Sequence, residues 1–152
     1  MEETWRRGDY TISTDPGRLD LGLIHGFLSR SYWAEGIPLE CVRRSIEHSL
    51  CFGLYDASGQ VGFARVITDF ATFAYVGDVF VVEGHRGRGL ARWLMEVIGA
   101  HPRLQGFRRW VLLTRDAHGL YQRVGYTPLA APERYMERRN PDVYRSTAEP
   151  RG

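Results

Sequence analysis

Hydrophobic positions recur with two periods along the chain, and each change of period marks a new element. Tyr10-Thr11-Ile12-Ser13-Thr14 alternates like a strand and is closed by Asp15-Pro16-Gly17. From residue 19 to about residue 30 the spacing lengthens, and Leu19, Leu23, Ile24, Phe27 and Leu28 share one helical face. An aromatic link, Ser31-Tyr32-Trp33-Ala34-Glu35-Gly36, leads to a second helix opened by Pro38, with Val42 and Ile46 turned inward. Residues 50–55 read as a strand, Asp56-Ala57-Ser58-Gly59 as a turn, and residues 60–68 as the antiparallel return. A bend near Asp69-Phe70 precedes residues 75–82, whose β-branched and aromatic content predicts a buried strand.

Leu90, Leu94, Val97 and Ile98 then restore the helical period, and residues 109–114 predict another buried strand. The next helix takes Asp116 as its N-cap, Leu120 and Val124 as its apolar stripe, and Gly125 at the left-handed C′ position. Residues 126–129 and 134–137 suggest a closing hairpin, and the two prolines after Asn140 predict an irregular tail. The order β-α-α-β-β-β-α-β-α-β-β predicts one mixed α/β domain over residues 1–139 and a tail over 140–152.

Composition narrows the class. At 152 residues the chain can bury roughly two-thirds of its unfolded surface without metal or disulfide support. The N-terminal Met-Glu-Glu-Thr-Trp-Arg-Arg lacks the apolar core of a signal peptide, and no apolar run approaches a membrane span, so a cytoplasmic location is expected. Cys41 and Cys51 are too few for a disulfide framework or a zinc site and read as small buried hydrophobes. The histidines form no ligand pair at helical spacing, so no metal is expected. A net charge of only +2 speaks against a nucleic-acid partner. All 20 basic side chains are Arg, a bias we read as that of a GC-rich, bacterial genome. It leaves phosphate oxygens well supplied with partners.

The segment richest in chemistry is Arg86-Gly87-Arg88-Gly89-Leu90-Ala91-Arg92, where the apolar strand runs into an amphipathic helix. Two glycines let the backbone approach a ligand where the helix leaves its first amides unpaired, and the dipole and flanking arginines favour an anion. A Walker loop requires a Lys, and this chain contains none. A dinucleotide fingerprint requires a third Gly where Arg92 stands. The spacing that matches is Arg-x-x-Gly-x-Ala, from Arg86 to Ala91. It resembles the acyl-CoA loop of the GNAT family of N-acyltransferases. Downstream, Leu120-Tyr121-Gln122-Arg123-Val124-Gly125-Tyr126 resembles the last helix of the same family. The resemblance covers most of the chain and is strongest from Asp78 to Tyr126.

That resemblance implies a three-layer α/β/α GNAT-like fold with a central mixed sheet whose two parallel strands splay apart. It implies transfer of acetyl from acetyl-CoA to a small-molecule amine or peptide acceptor by direct attack in a ternary complex. A homodimer is plausible by the same resemblance. The alternative is a non-catalytic acyl-CoA-binding or regulatory module of the same fold. Arg86, Gly87, Arg88, Gly89, Leu90 and Ala91 would hold the pyrophosphate, the arginines flanking it or simply solvated. Val81 and Val82 would pair with the pantetheine arm, and Thr114 and His118 are further candidate cofactor contacts. Tyr121 is the candidate acid for the departing thiolate. Asp78, an acidic residue in an apolar strand, is either a base or an ion-pair partner for an arginine such as Arg65. Tyr32, Trp33 and Arg65 are candidate acceptor contacts, the two aromatics forming a wall for a cationic amine or plugging the core.

Overall fold

The computed structural model describes residues 2–148. Among them, six strands form one sheet in chain order. These are β1 (Thr4–Arg7), β2 (Tyr10–Ser13), β3 (Leu50–Asp56), β4 (Gly59–Thr68), β5 (Phe73–Val81) and β6 (Arg109–Leu112). Neighbours are antiparallel as far as β5. The last pair is parallel, because α3 (Leu90–Ala100) carries the chain back across the sheet between β5 and β6. α1 (Leu21–Leu28) and α2 (Leu39–Glu47) are inserted between β2 and β3.

Strand alternation divides the core into two layers. Phe52, Leu54, Ala64 and Val66 pack with Trp93, Leu94 and Ile98 of α3. Cys51, Phe63 and Phe80 pack with Ile24, Leu28 and Val42 of α1 and α2. Adjacent residues Phe52 and Cys51, or Ala64 and Phe63, therefore serve opposite cores, which makes the domain an α/β/α sandwich. Phe52 and Phe63 are both fully buried, and each contributes roughly 2–3 kcal/mol of hydrophobic stabilisation. Burial also pushes the Cys51 thiol up to about 12, consistent with a small core side chain rather than a nucleophile.

The structure departs from the sequence-based expectations at several elements. β1 was not anticipated; its four largely exposed residues carry no burial period, and pairing with β2 alone makes it a strand. α1 begins two residues later than expected, because Asp20 caps it by accepting from the Leu23 N–H at 3.0 Å. At the start of α4 (His118–Gln122), Thr114 Oγ1 accepts from the Ala117 N–H at 3.0 Å, leaving no cap role for Asp116. The closing hairpin does not form. Pro128 and Pro132 each remove a backbone donor, and residues 132–134 turn as a 3-10 helix instead. The tail expected to be irregular carries α5 (Val143–Ala148), begun just after Pro141-Asp142. Gly125, by contrast, has φ +98° as expected of C′. Tyr126 N–H donates to the Tyr121 carbonyl at 3.0 Å and Gly125 N–H to Gln122 at 3.2 Å, closing α4.

Candidate active site

β5 and β6 stay paired only from Phe73–Arg109 to Val76–Leu112. β5 continues to Val81, so Gly77–Val81 have no β6 partner and a gap opens between the two parallel strands. A bulge helps to create it. The register with β4 jumps so that Asp78 and Val79 stand opposite Ala64 alone, and Asp78 takes φ +55°. That left-handed conformation disfavours most side chains, and aspartate is among those that tolerate it best.

At one end of the gap lies the glycine loop. Gly87 and Gly89 have φ +81° and +73°, and a side chain built on either would meet no protein atom within 4 Å. The left-handed backbone, rather than crowding, therefore calls for glycine here, and the space in front of the loop is open. No side chain caps α3, whose first amides are free for an anion, while Leu90 and Ala91 turn their side chains into the core. The two arginines differ in placement. Arg86 Nε donates back to the Val81 carbonyl at 2.9 Å, whereas Arg88 Nη1 donates to Tyr10 Oη at 2.7 Å.

The Val82 N–H donates to the Val61 carbonyl at 2.8 Å, so only its carbonyl, which also accepts from His85 N–H at 3.0 Å, keeps a lone pair for a pantetheine arm. The strand edge open to such an arm lies upstream, over Gly77–Val81, where Arg86 already occupies the Val81 carbonyl. Thr114 is likewise engaged in the turn before α4, and His118 is an exposed residue at the start of that helix.

At the other end five of the anticipated side chains converge. Asp78 accepts from Trp33 Nε1 at 2.8 Å through one carboxylate oxygen and from Arg65 Nε at 2.8 Å through the other. Arg65 Nη1 also donates to Ser49 Oγ at 3.1 Å. The ion pair is well shielded, with Arg65 17% and Asp78 11% exposed. Trp33 meets Tyr32 edge-on, ring centroids 5.1 Å apart. Tyr32 in turn accepts from the Arg115 N–H at 3.2 Å and carries the Arg115 guanidinium 3.8 Å above its ring. It thus ties the α1–α2 link to the β6–α4 connection across the gap.

Burial, and secondarily the neighbouring Tyr32 phenol, hold the Tyr121 phenol above its ordinary value, so it keeps its proton. Tyr126, 6.1 Å from the Tyr121 ring, is pushed up to about 12 by burial. Tyr144 on α5 packs on the α1–α2 core beside Cys41, and its phenol is raised mainly by burial, with Asp78 contributing. No period or motif in the last residues signals it. Its role depends on a short helix brought back over the sheet. Among the described residues no cluster of His, Cys, Asp and Glu could hold a metal ion, and no helix is long and apolar enough to cross a membrane.

A loop of left-handed glycines at a helix start thus opens on a splay between parallel strands. Residues 47–128 match the acetyltransferase (GNAT) domain. A Gibberella zeae protein named as an acetyltransferase, FG08082, is 35% identical over 142 residues, covering 78% of this chain and 79% of that one. The chain belongs to the GNAT acetyltransferase family. Its GNAT fold agrees closely with the crystal structure of a Xanthomonas campestris protein assigned to that family. That structure is 56% identical with a TM-score of 0.86, covering 89% of this chain and 96% of the other. A Clostridium acetobutylicum protein described as an acetyltransferase, crystallised with acetyl-CoA, shares the fold at 14% identity. Its TM-score is 0.62, over 91% of this chain and 96% of that one. This GNAT protein is an acyltransferase.

Proposed function

We propose that the protein moves an acetyl group from acetyl-CoA to an amine by direct attack, without an acyl-enzyme. The observation that carries this reading is the alignment of an open glycine cradle, an unpaired strand edge and a polar-aromatic cluster along one gap. The residues present fit the cofactor. The amides of Gly87 to Ala91 would take the pyrophosphate and Arg88 would flank it. The free edge of Gly77–Val81 suits an amide-bearing arm. Acetyl-CoA supplies an activated thioester and a good leaving group.

The chain's own residues supply the rest. Tyr121, kept protonated by burial, donates its proton to the departing thiolate, whose parent thiol has a pKa of about 8.5. Tyr32 and Trp33 form the acceptor-side wall, held in place by Arg115 and Asp78. Asp78 accepts bonds from two fixed donors, so it anchors Trp33 and Arg65, and its pair with Arg65 carries no net charge. Each of its oxygens keeps a second lone pair, so Asp78 takes the proton of the attacking amine directly or through water; the ammonium form of such an amine has a pKa of about 10. Orientation of the two substrates in one gap could supply several kcal/mol of the barrier, on the order of 7 or more in favourable cases.

Calorimetric titration with acetyl-CoA tests the reading. Wild type is expected to bind in the micromolar range. Gly89→Glu places a carboxylate in the phosphate space at a left-handed position and is expected to weaken binding at least about a hundredfold. Equal binding by both proteins would remove the loop from the cofactor site.

A further inference from the structure

Behind the glycine loop runs a chain of polar side chains drawn from three parts of the sequence. Arg88 Nη1 donates to Tyr10 Oη at 2.7 Å. Tyr10, on β2, stands edge-on to the His85 ring at 5.7 Å, with its Oη 2.8 Å from His85 Nδ1. His85 Nε2 lies 3.6 Å from Asp56 Oδ2, at the end of β3. Asp56 is itself fixed, since the Ser58 N–H donates to its other oxygen at 2.8 Å and the Ser58 hydroxyl bonds there too.

Arginine only donates, so Tyr10 accepts from Arg88; with His85 in its Nε2-protonated tautomer, the Tyr10 hydroxyl donates to Nδ1. His85 then carries its own proton on Nε2, facing the Asp56 carboxylate. The Asp56 carboxylate closes the chain at 3.6 Å, an ion-pair distance rather than a hydrogen bond. One of the five guanidinium donors of Arg88 is used, and the others stay available beside the open loop. A free surface arginine must surrender rotamer freedom to grip an anion, whereas a tethered one has less to lose. Arg86 has no such support and is folded onto its own strand end.

We infer that Tyr10, His85 and Asp56 are positioning residues that hold the Arg88 guanidinium ready for the phosphate oxygens of CoA. The inference rests on the cofactor reading above and goes beyond it, because none of the three lies within the Arg86–Ala91 motif. It gives β2 and the β3–β4 turn a second job: they stabilise the sheet, and they also preorganise the cofactor's ion pair.

A double-mutant cycle read by calorimetry with CoA tests it, using wild type, Tyr10→Phe, Arg88→Ala and the double variant. Tyr10→Phe keeps the ring packing and removes only the hydroxyl. It is expected to weaken CoA binding about fivefold when Arg88 is present and to add nothing when Arg88 is already Ala. His85→Gln retains a side-chain acceptor and should bind CoA more tightly than His85→Leu. Equal losses in both Arg88 backgrounds, or no loss from Tyr10→Phe, would overturn the positioning role while leaving the cofactor reading intact. Failure of wild type to bind CoA contradicts the cofactor reading and this inference together.

Discussion

The two ends of the β5–β6 gap are built on different principles. The end proposed for the cofactor is made of backbone: left-handed Gly87 and Gly89, the uncapped start of α3 and the partnerless edge of β5. The end proposed for the acceptor is made of side chains from distant elements: Trp33 before α2, Arg65 on β4, Asp78 on the β5 bulge and Tyr121 on α4. A backbone cradle needs only a short contiguous run of residues, and it binds what all members of a family share. A side-chain pocket is assembled by tertiary packing and can vary without disturbing the cradle. The division of labour predicts that substitutions at one end should leave binding at the other nearly untouched.

Tyr121→Phe should give the largest effect that separates the two ends. Turnover is expected to fall at least about tenfold, with acetyl-CoA affinity within about twofold of wild type, measured by steady-state kinetics beside calorimetry. Because Tyr121 is held above its ordinary value of about 10, its neutral acid form persists to higher pH. Between pH 8 and 9.5 its deprotonation should therefore not depress wild-type kcat. A loss of cofactor affinity equal to the loss of rate would erase the distinction between the ends.

Asp78→Asn is the next strongest probe. Asparagine tolerates φ +55° and retains an oxygen for Trp33, so the change isolates the charge. Leaving the shielded Arg65 unpaired should cost about 2 kcal/mol in denaturant unfolding, with the Kd for acetyl-CoA little changed. Unchanged stability would mean that the ion pair contributes nothing net. The smallest effect belongs to Trp33→Phe, which removes one hydrogen bond to Asp78 and is expected to raise the acceptor KM a few-fold at constant kcat. A matching rise in the acetyl-CoA KM would show that the wall serves both substrates.

The same contrast explains what could be read from the sequence. β3, β4, β5 and α3 declare themselves by period and content, and the glycine loop by local spacing, because each is a contiguous signal. β1 has no burial period and exists only through β2, and the 126–137 segment has strand-like composition but proline-broken pairing. Of the meeting of Tyr32, Trp33, Arg65, Asp78 and Tyr121, the sequence suggests one pair, Asp78 with Arg65, and otherwise single residues. The bonds among them, Trp33 to Asp78 above all, depend on a bulge that no local pattern announces. Val82 looks like a strand residue in sequence, yet its N–H is turned to Val61 and its carbonyl to the His85 turn. The Arg88–Tyr10–His85–Asp56 chain was illegible for the same reason, since three separate segments must fold before it exists.

The account stands or falls on where the cofactor lies, and a crystal structure of the protein with CoA measures this directly. The expected result has the pyrophosphate on the amides of Gly87 to Ala91 and the arm along Gly77–Val81. The sulfur should then lie within about 3.5 Å of Tyr121 Oη. Phosphates bound away from the loop, or a sulfur beyond the reach of Tyr121, would contradict it.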